Sequence, residues 1–228
     1  MPPIARPSPA STIYHMTKRL LSILLTLTTL TTLTTLQSLP AQAAGTLETA
    51  LNQSGFTPGP KGIELARASC LARELYLGGT SSYTKLTSAE ILALRATTAP
   101  LIPKRAVEGV NANLTCQYAY FLRAGKITRI FPISSGRPGH ETTPGVFKIS
   151  YQYNGWWDST LYPGAMMYRP KYFNGDSALH GLKTDAWVYP YPNSHGCLRA
   201  PLATIDYLWK NMVKTDRVWI YGKYIWAK

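Results

Sequence analysis

The sequence predicts a mainly β domain with one packed helix at residues 111–223, preceded by a small helical region at 44–110. Three observations carry that expectation. Cys116–Leu122 alternates in the manner of a half-buried strand, Ala124-Gly125-Lys126 turns, and Ile127–Ile133 returns, which is the signature of a β-hairpin. Downstream, Leu202, Ile205, Leu208, Trp209 and Met212 recur on one helical face behind Pro201, a residue suited to a first helical turn. Aromatic residues make up 11% of the chain, with 15 Tyr and 6 Trp, a content that suits sheets and broad grooves.

Taken from the start, residues 1–43 read as a secretory signal peptide. Lys18-Arg19 precede an apolar Leu/Ile run, a Leu/Thr stretch reaches Leu36, and Ala41-Gln42-Ala43 offers a small-x-small cleavage site. Met16 stands directly before Thr17 and the basic pair and is an alternative start. The competing reading is a membrane anchor, but the Thr-rich run is only weakly apolar, so cleavage is expected and no transmembrane anchor after it. The formal charge is +13, and removing the three basic residues of 1–43 leaves +10. The basicity therefore belongs to the rest of the chain and favours an anionic partner such as a cell envelope. Long Lys/Arg runs and nucleic-acid modules are lacking, so no nucleic-acid partner is expected.

Residues 44–110 contain a short helical patch at Leu47–Leu51, a break at Thr57-Pro58-Gly59-Pro60, and a loose helical pattern from Ile63 to Leu77 ended by Gly78-Gly79. A further short helix opens at Thr87 or Ser88, with Glu90 close to capping-box spacing, and Pro100 and Pro103 stop it. No motif assigns this region a role, and packing element, spacer and wall-binding piece all remain open. In the β part, Ser134–Gly139 is a loop and Thr143-Pro144-Gly145 leads into a strand at Val146–Tyr151. Short segments lie around Met166–Tyr168 and Ala178–Leu179, Arg217–Tyr221 closes the domain, and 224–228 is a tail.

An exported chain with three cysteines suggests one pair and one free thiol. Cys70 with Cys116 is the sensible pairing; two buried, unpaired cysteines are the alternative. Cys197 is then the free thiol. It sits in Ser194-His195-Gly196-Cys197-Leu198-Arg199, with His180-Gly181 upstream. A cysteine is a nucleophile only as thiolate, so a nearby base or cation is required. Past residue 43 the histidines are His140, His180 and His195, and the last two bracket the approach to Cys197. Gly196 permits a tight turn that points backbone N–H groups at a developing oxyanion. No Asp or Asn stands out as the partner that orients the base, and a backbone carbonyl just after His180 serves instead. Two other readings compete. One is a buried core thiol with unrelated histidines. The other is zinc held by His180, His195 and Cys197, for which no fourth ligand is visible.

At these residues the chain resembles the L,D-transpeptidases with a YkuD-type catalytic domain. His180-Gly181, twelve residues, and then Ser194–Arg199 match that family's signature. Pro132–Gly136 resembles its strand and Ser-x-Gly turn, and Glu141–Phe147 its Thr-Pro-x-Gly-x-Phe stretch with an extra Thr. The resemblance spans roughly residues 112–222 and implies a β-sandwich-type catalytic domain outside the cytoplasm, in periplasm, cell wall or medium, acting on peptidoglycan stem peptides as donor and acceptor. It implies Cys197 as nucleophile and His180 as proton donor and acceptor. Gly181 would orient His180, Gly196 and Cys197 would supply oxyanion N–H groups, Ser194 and His195 would support the turn, and Arg199 would hold the Cys197 loop or a substrate carboxylate. It implies no cofactor and no metal. Tyr168, Trp156 and Trp157 are candidates for lining the groove, with core packing as the alternative. Transpeptidation, carboxypeptidase action and wall-protein anchoring all use the same thioacyl enzyme, and a non-catalytic wall-binding protein is the reading from another class.

Overall fold

A computed structural model describes residues 48–52 and 62–224. The expected signal peptide at 1–43, the alternative start at Met16, the break at Thr57–Pro60 and residues 225–228 lie outside the described residues.

Residues 48–51 are helical, and helices α1 (Ile63–Leu77) and α2 (Ser88–Arg95) follow. The β part follows as β1 (Gly109–Asn113), β2 (Tyr118–Arg123), β3 (Lys126–Pro132), β4 (Gly145–Lys148), β5 (Tyr151–Gln152), β6 (Trp156–Asp158), β7 (Met166–Asn174), β8 (Ser177–Gly181) and β9 (Leu198–Arg199). Helix α3 (Leu202–Asn211) and strand β10 (Arg217–Tyr221) complete it. The fold is mostly β, with two mixed sheets and few helices. One sheet runs β3-β2-β1-β10-β4 with β1 parallel to β10. The other runs β5-β7-β8-β9, with β6 also on β7 and β8 parallel to β9.

Strand alternation decides how the layers stack. Ala119 and Phe121 of β2, with Phe131 and Ile133 from β3 onward, face the second sheet and α3, where they pack with Phe173, Leu179, Leu198, Ile205 and Leu208. Tyr120, Leu122 and Ile130 point the other way and are covered by Ala66, Leu71 and Leu75 of α1. Each large apolar side chain so buried contributes about 1.5–3 kcal/mol. Residues 63–95 thus pack on a sheet face that would otherwise be wet.

Polar ties fix this cover in place. Cys70 of α1 is joined to Cys116 by a disulfide. Arg67, 1% exposed, donates to the carbonyls of Gln117 (2.6 Å) and Ile133 (3.3 Å). Glu74 accepts from Asn113 Nδ2 and Tyr221 Oη, tying α1 to β1 and β10. Thr87 is the cap of α2 and forms a capping box with Glu90, whose carboxylate also takes the Arg73 Nε–H at 2.6 Å.

Three elements differ from expectation. Strand β1, Gly-Val-Asn-Ala-Asn, lies at the centre of its sheet with every residue buried, so the β part starts at 109 and not 111. Gly and Asn are poor strand formers; partners on both sides hold this segment extended. The expected strand Val146–Tyr151 is divided between β4 and β5, which join different sheets. Strand β7 runs nine residues where only a short segment was expected, because a bulge at Arg169 (φ 47°) interrupts its apolar pattern.

Candidate active site

His180 comes from β8, a strand inside the second sheet, and Cys197 from the turn that enters β9. Parallel pairing of β8 with β9 sets His180 opposite Arg199 and Leu179 opposite Leu198. The backbone register therefore brings the histidine beside the cysteine turn, and both side chains line one cavity of about 250 Å³.

The turn is closed by its own side chains. Ser194, 1% exposed, donates its hydroxyl to the Cys197 carbonyl (2.6 Å) and accepts the Gly196 N–H (3.1 Å). Gly196 has φ +113°, a region that side-chain-bearing residues rarely enter. Thr142, 2% exposed, accepts the Gly136 N–H (2.9 Å) and donates to the Gly196 carbonyl (2.9 Å). Gly136 itself is pressed so closely that a Cβ there would lie 1.9 Å from the His140 carbonyl oxygen. The Ser135 carbonyl accepts N–H groups from Asn193 and Ser194, each at 2.9 Å. Arg199 exchanges two 3.0 Å backbone hydrogen bonds with Ser134. The thiol is thus carried on a loop tied at both ends to the 134–142 segment.

His180 is 4% exposed, and its Nδ1–H donates to the Gly181 carbonyl at 2.8 Å. That bond fixes the tautomer and leaves Nε2 with a lone pair. Burial pushes the imidazole down to about 4, a fall that the Gly181 carbonyl opposes and the Arg199 charge assists. Burial also pushes the Cys197 thiol up, against the Ala178 N–H and Arg199, which favour the thiolate. Cys197 Sγ accepts the Ala178 N–H at 3.4 Å and lies 3.9 Å from the Asp176 carbonyl, to which it donates. Both shifts favour the neutral thiol and the neutral imidazole over the ion pair. The Arg199 side chain lines the same cavity, and among the described residues its buried Nε–H has no partner.

The remaining candidates divide. His195 is exposed at the rim, its ring 4.3 Å from Tyr162 and 4.9 Å from His140. The Gly196 N–H, one of the two groups expected to meet an oxyanion, is already taken by Ser194. Trp156, Trp157 and Tyr168 stand outside the cavity, whose wall is instead formed by Tyr162, Met166 and Met167. Sequence reasoning missed Thr142, although it lies in the quoted Glu141–Phe147 stretch; a threonine just before a Thr-Pro pair was the available signal. Among the described residues no group of three or more His, Cys, Asp or Glu side chains is placed to hold a metal.

Residues 108–220 match the family model of the L,D-transpeptidase catalytic domain, YkuD. That domain belongs to the L,D-transpeptidase family. Solved structures agree with this assignment. An L,D-transpeptidase from Xylanimonas cellulosilytica is 28% identical, with a TM-score of 0.50 over 80% of this chain and 93% of that one. One from Stackebrandtia nassauensis is 17% identical, with a TM-score of 0.50 over 81% of this chain and 93% of that one, and it supports the fold alone. No curated protein sequence matches the chain. In this L,D-transpeptidase domain His180, Ser194, His195 and Cys197 all line one cavity.

Proposed function

We propose that this protein is a peptidoglycan L,D-transpeptidase that works outside the cytoplasm through a Cys197 thioacyl enzyme and forms 3→3 cross-links. The observation that carries the reading is the Nδ1–H bond of His180 to Gly181, which leaves a neutral Nε2 as proton acceptor in the cavity that Cys197 lines. Nε2 takes the Sγ proton as sulfur attacks the carbonyl of the third stem residue. The negative oxygen of the tetrahedral intermediate is met by the Cys197 N–H. On collapse the C–N bond to the terminal D-Ala breaks, and the imidazolium returns its proton to the leaving amine, giving the thioester. A side-chain amine of a second stem then attacks the thioester carbonyl. It gives its proton to His180, the C–S bond breaks, and the thiol is restored by that proton.

Desolvation suits this cycle. A thiol held up and an imidazole held down leave the Cys197–His180 pair uncharged at rest, and charge develops on the pair only as the carbonyl is attacked. Arg199 holds the substrate carboxylate next to the scissile bond, which satisfies its open Nε–H. The signal peptide carries the chain to the wall, and the basic surface favours the anionic envelope. No helix among the described residues is long and apolar enough to cross a membrane.

Cys197→Ala tests the assignment. With a disaccharide tetrapeptide as donor and acceptor, dimer formation and D-Ala release should fall by about 10³-fold or more while the melting temperature stays near the wild-type value. Retained activity in the alanine variant would overturn it.

A further inference from the structure

The Cys197 thiol packs against a small cluster, Met167, Tyr172 and Ala178, that also carries Tyr153. From there a continuous run of rings leads outward. Tyr151 stacks on Tyr172 with centroids 4.5 Å apart, Tyr153 stands edge-on to both at 5.9 and 6.2 Å, and Trp157 lies flat on Tyr153 at 3.7 Å with an interplanar angle of 5°. The outer members remain open to solvent: Tyr151 is 45% exposed and Trp157 39%. Trp156, the neighbour of Trp157, points to the opposite face of β6 and rests on Tyr168 at 5.0 Å. The shelf is therefore specifically Tyr151–Tyr153–Trp157, and it begins beside the nucleophile.

We propose that this shelf is a glycan subsite, on which a sugar ring of an N-acetylhexosamine strand stacks. The inference rests on the reading above, because the stem donor is covalently joined to such a strand. Three points support it. Flat aromatic rings with polar rims match the apolar C–H faces and hydroxyl edges of a pyranose. The reach fits as well. Three stem residues span roughly 10 Å from the attacked carbonyl to the sugar. The shelf lies just across β7 from the cavity: Trp157 is paired with Met167, which itself lines the cavity, and adjacent strands are about 4.8 Å apart. Finally, the shelf is already assembled by ring-on-ring packing, so a sugar meets it without further ordering. Binding energy from this remote part of the substrate would be available to position the stem carbonyl over Cys197.

The test is binding of peptide-free glycan oligomers, stripped of stems, to the wild-type chain, followed by tryptophan fluorescence. Saturable binding that weakens about tenfold or more in Trp157→Ala, is partly kept in Trp157→Phe and is retained in Trp156→Ala is the expected result. No binding by the wild type, or equal binding by Trp157→Ala, would overturn the subsite. So would a concentration-dependent dimer that Trp157→Ala abolishes without any glycan effect, since the shelf would then cover a second copy. A kinetic arm separates this claim from the catalytic one. Trp157→Ala should lower kcat/KM for a disaccharide tetrapeptide at least tenfold more than for the free tetrapeptide. Equal losses would count against the subsite, and inactivity of the wild type on both donors would sink the transpeptidase reading while the glycan titration still reports on the shelf.

Discussion

The two faces of the β3-β2-β1-β10-β4 sheet are covered by different kinds of structure. On one face α1 and α2 lie over Tyr120, Leu122 and Ile130 and are held by apolar contact and the Cys70–Cys116 bridge. On the other, the second sheet and α3 bury Phe121, Phe131 and Ile133, and beyond them comes the Cys197 turn, whose shape is set by hydrogen bonds from Ser194, Thr142 and the 134–136 backbone. The helical cover rests mainly on volume and hydrophobicity, with Arg67 and Glu74 as its polar ties to the sheet. The turn needs particular donors and acceptors at particular positions. The two are joined by a chain of polar contacts: Arg67 of α1 holds the Gln117 carbonyl, and the Gln117 side chain holds both the N–H (2.9 Å) and the hydroxyl (2.8 Å) of Ser135, whose carbonyl anchors Ser194. The cover thus braces the floor of the site as well as hiding a sheet face.

Breaking the cover should cost stability and little chemistry. Opening the Cys70–Cys116 bridge in a double Cys→Ser variant removes a link across 46 residues and should lower unfolding free energy by about 4 kcal/mol in the chain-entropy picture, read by denaturant titration. Activity below the unfolding transition should persist; its loss would mean that the site depends on the cover more than these contacts imply.

Next in size is the pH dependence that His180 imposes on the site face. Its imidazole sits at about 4 when folded, whereas an unfolded histidine titrates near 6.5. Between these values the unfolded chain binds the extra proton. The stability contribution is therefore complete above about pH 6.5 and is lost as pH falls towards 4, a change of about 3 kcal/mol. His180→Gln should flatten that slope in thermal melts and abolish acyl transfer; an unchanged slope would show that the imidazole is not held neutral by burial.

The smallest expected effect is the most local. Thr142→Val keeps the shape but leaves the Gly136 N–H and the Gly196 carbonyl without their shared hydroxyl, a loss of about 1–3 kcal/mol. Because that hydroxyl holds the carbonyl just before Cys197, kcat should fall more than KM rises. A stability loss with wild-type kcat would reduce Thr142 to a structural role.

Much of this contrast between cover and turn is legible in the residues alone. The hairpin at β2–β3, the helix at 63–77, the capping box at Thr87 and the helix after Pro201 follow local rules of alternation, periodicity and capping, and each appears where those rules put it. The approach of His180 to Cys197 follows from a motif. What is not legible depends on partners distant in sequence. Nothing within Gly109–Asn113 marks it as a central strand; β2 and β10 make it one. The bulge at Arg169 hides the length of β7, and the aromatic pair at 156–157 reads as one feature although its members face opposite ways. The commitment of the Gly196 N–H to Ser194 is likewise a tertiary fact, invisible in the hexapeptide that contains both.

Acylation of Cys197 with loss of D-Ala is the step on which the proposed chemistry stands. It can be read most directly from the mass of the protein quenched in acid during turnover of a disaccharide tetrapeptide, with the modified peptide mapped. An adduct equal to the donor less D-Ala is expected on the peptide bearing Cys197, and none in Cys197→Ala. Release of D-Ala with no such adduct, or an adduct on another residue, would contradict the mechanism.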